Sequence, residues 1–172
     1  MELKNIGDEL ISQVIFRMEE NTPRIKNCLL QLSDEEVWKK PNNSSNSIGN
    51  LVLHLCGNIT QYIHSAIGGK EDRRERDEEF AAQGGYSRDE LLDKITGTVN
   101  EAVEIIRHTG EKELVRKREV QGFNLTGIGI IIHVVEHYSY HTGQIALWTK
   151  ILKDKDLGFY AGIDLNKKNI IN

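Results

Sequence analysis

Apolar residues recur along this chain with the period of a helix, in four long stretches separated by polar connections. From about Asn5 to Leu32, the residues Ile6, Leu10, Ile11, Val14, Ile15 and Met18 keep a 3.6-residue spacing, and Ile25, Cys28, Leu29 and Leu32 continue it. Thr22-Pro23 interrupts, and a proline there predicts a kink or a restart. Ser33-Asp34-Glu35-Glu36 reads as a capped short turn around Trp38, and 41–47 as a polar loop. Ser47 is the expected N-cap of the second helix, which stops at Gly68-Gly69. Its core face holds Ile48, Leu51, Val52, Leu55, Ile59, Tyr62, Ile63 and Ala66. His54 sits ~60° from Leu51, on the shoulder of that face, with Asn58 one turn on. His64 points away and is expected at the surface.

Residues 70–86 form a charged connection with Phe80 as its one large apolar anchor. Ser87-Arg88-Asp89-Glu90 is a capping box that opens the third helix. Leu91, Leu92, Ile95, Val99, Ala102, Val103 and Ile106 form the third stripe, which ends at Thr109-Gly110. Residues 111–125 read as irregular, with a short extended piece at 119–123. The fourth stretch runs from Thr126 to Leu152. Residues 154–172 form a turn-like tail on which Phe159 and Tyr160 are expected to dock, with its last residues frayed. No internal repeat appears. Four amphipathic helices, long connections and no strands predict an all-α four-helix bundle, one domain spanning 1–172.

The fourth stretch carries the chemistry. His133, His137 and His141 recur every four residues. Each step of four advances ~40° around a helix, so they form one slanted stripe, which Gln144 and Trp148 extend. Ile130, Val134, Ile145, Ile151 and Leu152 surround it, which predicts an inward-facing arc. Buried imidazoles need partners. One such partner is a divalent metal, since histidines at i and i+4 reach one ion from the same side. If His54 faces His137 and His141, three neutral imidazoles hold an ion and leave a position open, as in catalytic rather than structural zinc sites. Imidazole suits Zn, Ni, Co or Fe(II) and does not choose among them. The plainer alternative is a set of core rings satisfied by Tyr, Gln or backbone groups. A second motif overlaps: His133-Val134-Val135-Glu136-His137 matches H-x-x-E-H, a metalloprotease pattern with Glu136 as base. Inward Glu-x-x-His pairs on two helices are missing, which excludes ferritin-like di-iron chemistry.

Composition narrows the class. The net charge of −4, with both signs scattered over 172 residues, leaves no basic footprint for nucleic acid and no polybasic membrane patch. The run EDRRERDEE reads as a solvated loop or short helix. Cys28 and Cys56 lack C-x-x-C spacing and read as core thiols of a reducing compartment. With no apolar leader and no span near 18 apolar residues, the expectation is a soluble cytoplasmic protein.

Two segments resemble a known group. N-S-I-G-N-L-V-L-H-L-C-G-N-I-T-Q-Y-I, followed much later by H-V-V-E-H-Y-S-Y-H-T-G-Q-I, is similar to the DinB/YfiT-like superfamily, closest to a branch of uncharacterised bacterial proteins. The resemblance runs from Arg24 through Lys150. It implies a four-helix bundle, often a homodimer, with one metal held by His54, His137 and His141, and it leaves His133 outside the triad. The superfamily contains metal-dependent transferases that use bacillithiol, mycothiol or glutathione, and isomerases that use such thiols. The sequence shows no thiol-binding motif, so the substrate does not follow from the fold. The leading expectation is a metal-dependent enzyme, with Zn, Ni or Fe as its ion, that adds a low-molecular-weight thiol to an electrophile. Asn58, Gln61 and Gln144 are the candidates to orient ligands or substrate. The alternatives are a non-catalytic metal-binding or dimerising bundle, in which His133 supplies a fourth ligand, and an interaction module without metal.

Overall fold

The computed structural model describes residues 5–170, and the fraying expected at 171 and 172 lies outside the described residues. Four long helices form the frame. α1 spans Ile6–Leu30 and starts where the Asn5 side chain accepts from Gly7 N–H. It does not restart at Pro23. Just before the proline, Thr22 Oγ1 donates to the Met18 carbonyl and Asn21 Nδ2 to the Arg17 carbonyl. α2 (Asp34–Trp38) is the expected capped turn, with the Ser33–Glu36 box complete. α3 spans Ile48–Ile59 behind a Ser47–Asn50 box. It continues as a π-helical turn, Thr60–Ser65, and gives way near Gly69, whose φ is 77°.

That π-turn corrects one expectation. His64 is buried, 5% exposed, with its Nε2 3.0 Å from the Thr98 carbonyl. A π-turn carries about one extra residue, so the α-helical register is lost within it, and His64, which lies inside the turn, comes inward.

α4 (Arg76–Ala81) lies inside the charged connection. α5 (Arg88–Arg107) begins at the Ser87–Glu90 box. α6 (Glu111–Val115) is a single short turn. The expectation of no strands is also corrected: β1 (Lys117–Val120) and β2 (Phe123–Thr126) pair antiparallel, Val120 opposite Phe123. Between them Gln121 and Gly122 both take positive φ, 51° and 79°, as a two-residue hairpin turn requires. Thr126 then caps α7 (Gly127–Lys153), accepting from Gly129 N–H.

α1 packs on α5 and α7, and α3 on the same two, so the four surround one core. Met18, Ile25, Leu55, Ile59, Ile95 and Ile145 are fully buried in it. The arc on α7 is narrower than expected, since Ile151 is 59% exposed. The tail docks on α1: Leu157 is buried, Asn27 Nδ2 donates to its carbonyl at 2.9 Å, and Arg24 stacks over Phe159 and Tyr160. No helix among the described residues is long and apolar enough to cross a membrane.

Candidate metal centre

α3 and α7 face each other where His54 meets His137 and His141. One potential ligand atom from each lies within 4.8 Å of the others, and among the described residues no other such group of His, Cys, Asp or Glu forms. His54 and His141 are buried and His137 is half-buried. His137 Nε2 lies 3.1 Å from His54 Nε2 and 3.0 Å from His141 Nε2.

The outer nitrogens decide what these contacts mean. His54 Nδ1 is 2.9 Å from Glu79 Oε2, and His141 Nδ1 is 2.6 Å from Gln144 Oε1. Both partners are acceptor oxygens, so each Nδ1 carries the ring proton and each Nε2 turns a bare lone pair inward. His137 then brings at most one proton to two lone pairs. Three nitrogens crowded in this way repel one another unless a cation sits among them. Zinc–nitrogen bonds of 2.0–2.1 Å in a tetrahedron set neighbouring nitrogens roughly 3.3 Å apart, close to the spacing found. The donor set therefore fits a divalent ion.

The carboxylate behind His54 comes from the charged connection. Arg74 clasps Glu79 at both ends, Nε to Oε1 at 2.7 Å and Nη2 to Oε2 at 2.9 Å. Arg74 Nη2 also lies 3.1 Å from His54 Nδ1, but its proton is committed to Glu79 because a protonated Nδ1 has no lone pair to offer. Burial alone would raise the Glu79 pKa. The bonds from Arg74 and His54 outweigh it and hold the carboxyl below its usual range, so it is ionised at neutral pH.

The other sequence candidates fall into place around this centre. Gln144 touches His141 directly. Asn58 instead meets His133, Nδ2 to Nε2 at 3.3 Å, and Gln61 bonds Asp72 and Arg74. His133 stacks on Tyr62 at 4.4 Å and stays outside the triad, so it does not supply a fourth donor. Glu136 is exposed, and the H-x-x-E-H motif does not assemble as a pair of ligands with a base. Arg74 and Glu79 carry no distinguishing mark in the sequence. The one available signal is Phe80, whose ring lies 4.7 Å from that of His54.

Burial, then the neighbouring His141 and His54, push the His137 pKa down to about 3. Burial also lowers His141 and His133. All three rings are therefore neutral at pH 7. A histidine with a depressed folded pKa contributes stability that is full above its unfolded value near 6.5 and is lost as pH falls from there toward the folded value. The melting temperature of metal-free protein is expected to hold from pH 8 to 6.5 and then fall steadily toward pH 4.5. A flat profile across that window in calorimetry would contradict the lowered pKa values of His133, His137 and His141.

Among solved structures, the chain is similar to a conserved protein from Enterococcus faecalis, with TM-score 0.70, 14% identity, and coverage of 84% of this chain and 97% of that one. It is also similar to a DinB-like protein from Bacillus subtilis, with TM-score 0.65, 17% identity, and 84% and 94% covered. A DinB-like protein from Bacillus cereus is similar as well, with TM-score 0.63, 18% identity, and 78% and 87% covered. At these identities the likeness speaks for the fold, which is DinB-like and all-α. No curated protein matches. Residues 5–162 match the model of the family described as protein of unknown function (DUF1572), and the chain belongs to that family.

Proposed function

We propose that His54, His137 and His141 hold one divalent metal ion and that the protein is a transferase joining a low-molecular-weight thiol, such as bacillithiol, to an electrophile. The observation that carries the first half is the convergence of three Nε2 atoms, two of them on rings whose protons face outward onto Glu79 and Gln144. Three protein donors leave a coordination position for substrate. An ion bound there would keep a thiol in its thiolate form near neutral pH.

The chain's own thiols are poor candidates for the nucleophile. Cys28 and Cys56 are both buried, and burial pushes their pKa values up to about 11 and about 12. The sulfur is therefore read as coming from a second substrate. In the step, sulfur gives an electron pair to carbon, the leaving group departs with the broken bond's pair, and the thiol proton passes to solvent. Gln144, which bonds His141, also lines a cavity of ≈ 430 Å³ together with Leu51, Trp148 and Ile151. That cavity is where this reading seats the electrophile. Buried reduced cysteines accord with a cytoplasmic location.

Protein reconstituted with zinc, nickel or iron(II) should turn over bacillithiol and 1-chloro-2,4-dinitrobenzene. Metal-free protein and a His54→Ala/His137→Ala double variant should not. The visible spectrum of the cobalt form should shift on adding thiol. A cobalt spectrum indifferent to thiol and azide would instead identify a closed, non-catalytic site.

A further inference from the structure

The segment 72–79 is held to α3 more closely than a surface connection needs. The Arg74 side chain is 3% exposed and that of Glu79 10%. Besides its two bonds to Glu79, Arg74 donates through Nη1 to Gln61 Oε1 at 2.9 Å, on the π-turn. Asn50 Nδ2 holds the carbonyls of Glu79 and Ala82 at 2.9 and 2.8 Å. The ion pair occupies a slot that exists because residue 57 is glycine. A Cβ at Gly57 would come within 1.9 Å of Glu79 Oε1 and 2.9 Å of Arg74 Nε. Burying two charges carries a desolvation penalty before their attraction is counted, and apolar residues of similar volume often serve stability as well or better. Stability therefore does not account for the pair. Its contact with His54 does, because Glu79 fixes the ring so that Nε2 faces the other two histidines.

We infer that residues 72–79 form a latch on the metal centre, with Glu79 and Arg74 as positioning residues, and that docking of the latch and occupancy of the site are thermodynamically linked. The inference rests on the metal reading above. A cation at Nε2 makes the Nδ1 proton of His54 more acidic, which strengthens its bond to Glu79. The docked carboxylate in turn makes Nε2 a better donor. By reciprocity, whatever factor the docked latch adds to metal affinity, the metal adds to latch docking.

Cobalt(II) alone is the probe. It is titrated by visible absorption into wild type, Gly57→Ala, Arg74→Met/Glu79→Leu and Arg74→Met/Glu79→Gln. Glu79→Ala is avoided because it strands a buried guanidinium. Loss of an outer partner of a ligating histidine typically costs 10–100-fold in metal affinity, and that loss is expected for Gly57→Ala and for the leucine double variant. The glutamine double variant should recover part of it, since an amide oxygen still accepts from Nδ1–H, whereas a pure packing role would not separate leucine from glutamine. In wild type, cobalt should also slow tryptic cleavage beside Arg73, whose side chain is 81% exposed, and this protection should vanish in Gly57→Ala. Wild-type affinity and an unaltered cobalt band in cooperatively folded Gly57→Ala and leucine variants would overturn the latch while leaving the metal site intact. A wild type that takes up no cobalt would overturn both.

Discussion

His137→Ala is expected to leave the purified protein without bound metal. Of the three converging nitrogens, His137 Nε2 is the one in short contact with both others, at 3.1 and 3.0 Å. Its removal leaves His54 and His141 as a two-donor site with no third imidazole to complete it. The affinity loss should exceed the ~10–100-fold that comes from losing an outer partner, because here a donor itself is gone. Elemental analysis of untagged protein reads the result directly: about one ion per chain in wild type, as a three-histidine site implies, and essentially none in the variant. His133→Ala is the companion. That ring stacks on Tyr62 and bonds Asn58 rather than joining the cluster, so its loss should leave the metal in place. Stoichiometric metal in His137→Ala would refute the assigned triad, and loss of metal in His133→Ala would show that the whole stripe is the site. The variant has a second signature. Without the ring whose pKa is pushed down to about 3, the metal-free protein should lose part of its acid sensitivity below pH 6.5.

The range of the forces involved sets how much of this is legible in the sequence. The four long helices are legible because burial of one face writes a 3.6-residue period into each, and because Ser47 and Ser87 announce helix starts through side chains acting on backbone three residues away. The histidine stripe is legible for the same reason, His133, His137 and His141 being one turn apart with His54 on the shoulder of a facing stripe, whereas the choice of His54, His137 and His141 without His133 rests on the resemblance to the DinB/YfiT-like superfamily. The hairpin is not, since its strands are four residues each, half of them exposed, and turn on Gln121-Gly122 rather than on an Asn-Gly pair. His64 is misplaced by a regular helical register because a π-turn leaves no periodic mark until the register beyond it has already shifted. Arg74 and Glu79 are hidden most completely. Locally they cannot be told from Arg73 and Glu78, their neighbours in the same charged run, and both of those stay exposed. The room they fill depends on the missing Cβ at Gly57, which lies on α3, 17 residues before Arg74 in the chain.

Two glycines of α7 should respond to alanine with opposite signs. Gly143 is mid-helix and exposed, and an added Cβ would meet nothing within 4 Å. Gly143→Ala should therefore stabilise by about 0.5–1 kcal/mol through reduced unfolded-state entropy and better helix propensity. Gly127 is the first residue of the same helix, and its N–H donates to the Arg116 carbonyl at 3.2 Å. A Cβ there would stand 2.3 Å from the Glu113 carbonyl oxygen and 3.0 Å from Leu114 Cα. Both obstacles are backbone, which cannot rotate aside as a side chain does. Gly127→Ala therefore forces α6 and the start of α7 apart, at a cost of about 1–3 kcal/mol, typical of overpacking. In a chain of this size each kcal/mol moves the melting temperature by about 2–4 °C. Urea denaturation of the two variants beside wild type tests the sign as well as the size. His137 lies ten residues along the helix from Gly127, roughly 15 Å at 1.5 Å per residue, so the loss of stability should come without a matching loss of metal affinity. If Gly127→Ala instead lost metal while keeping its stability, the start of α7 would be acting on the triad through the helix as a rigid lever rather than as a local support.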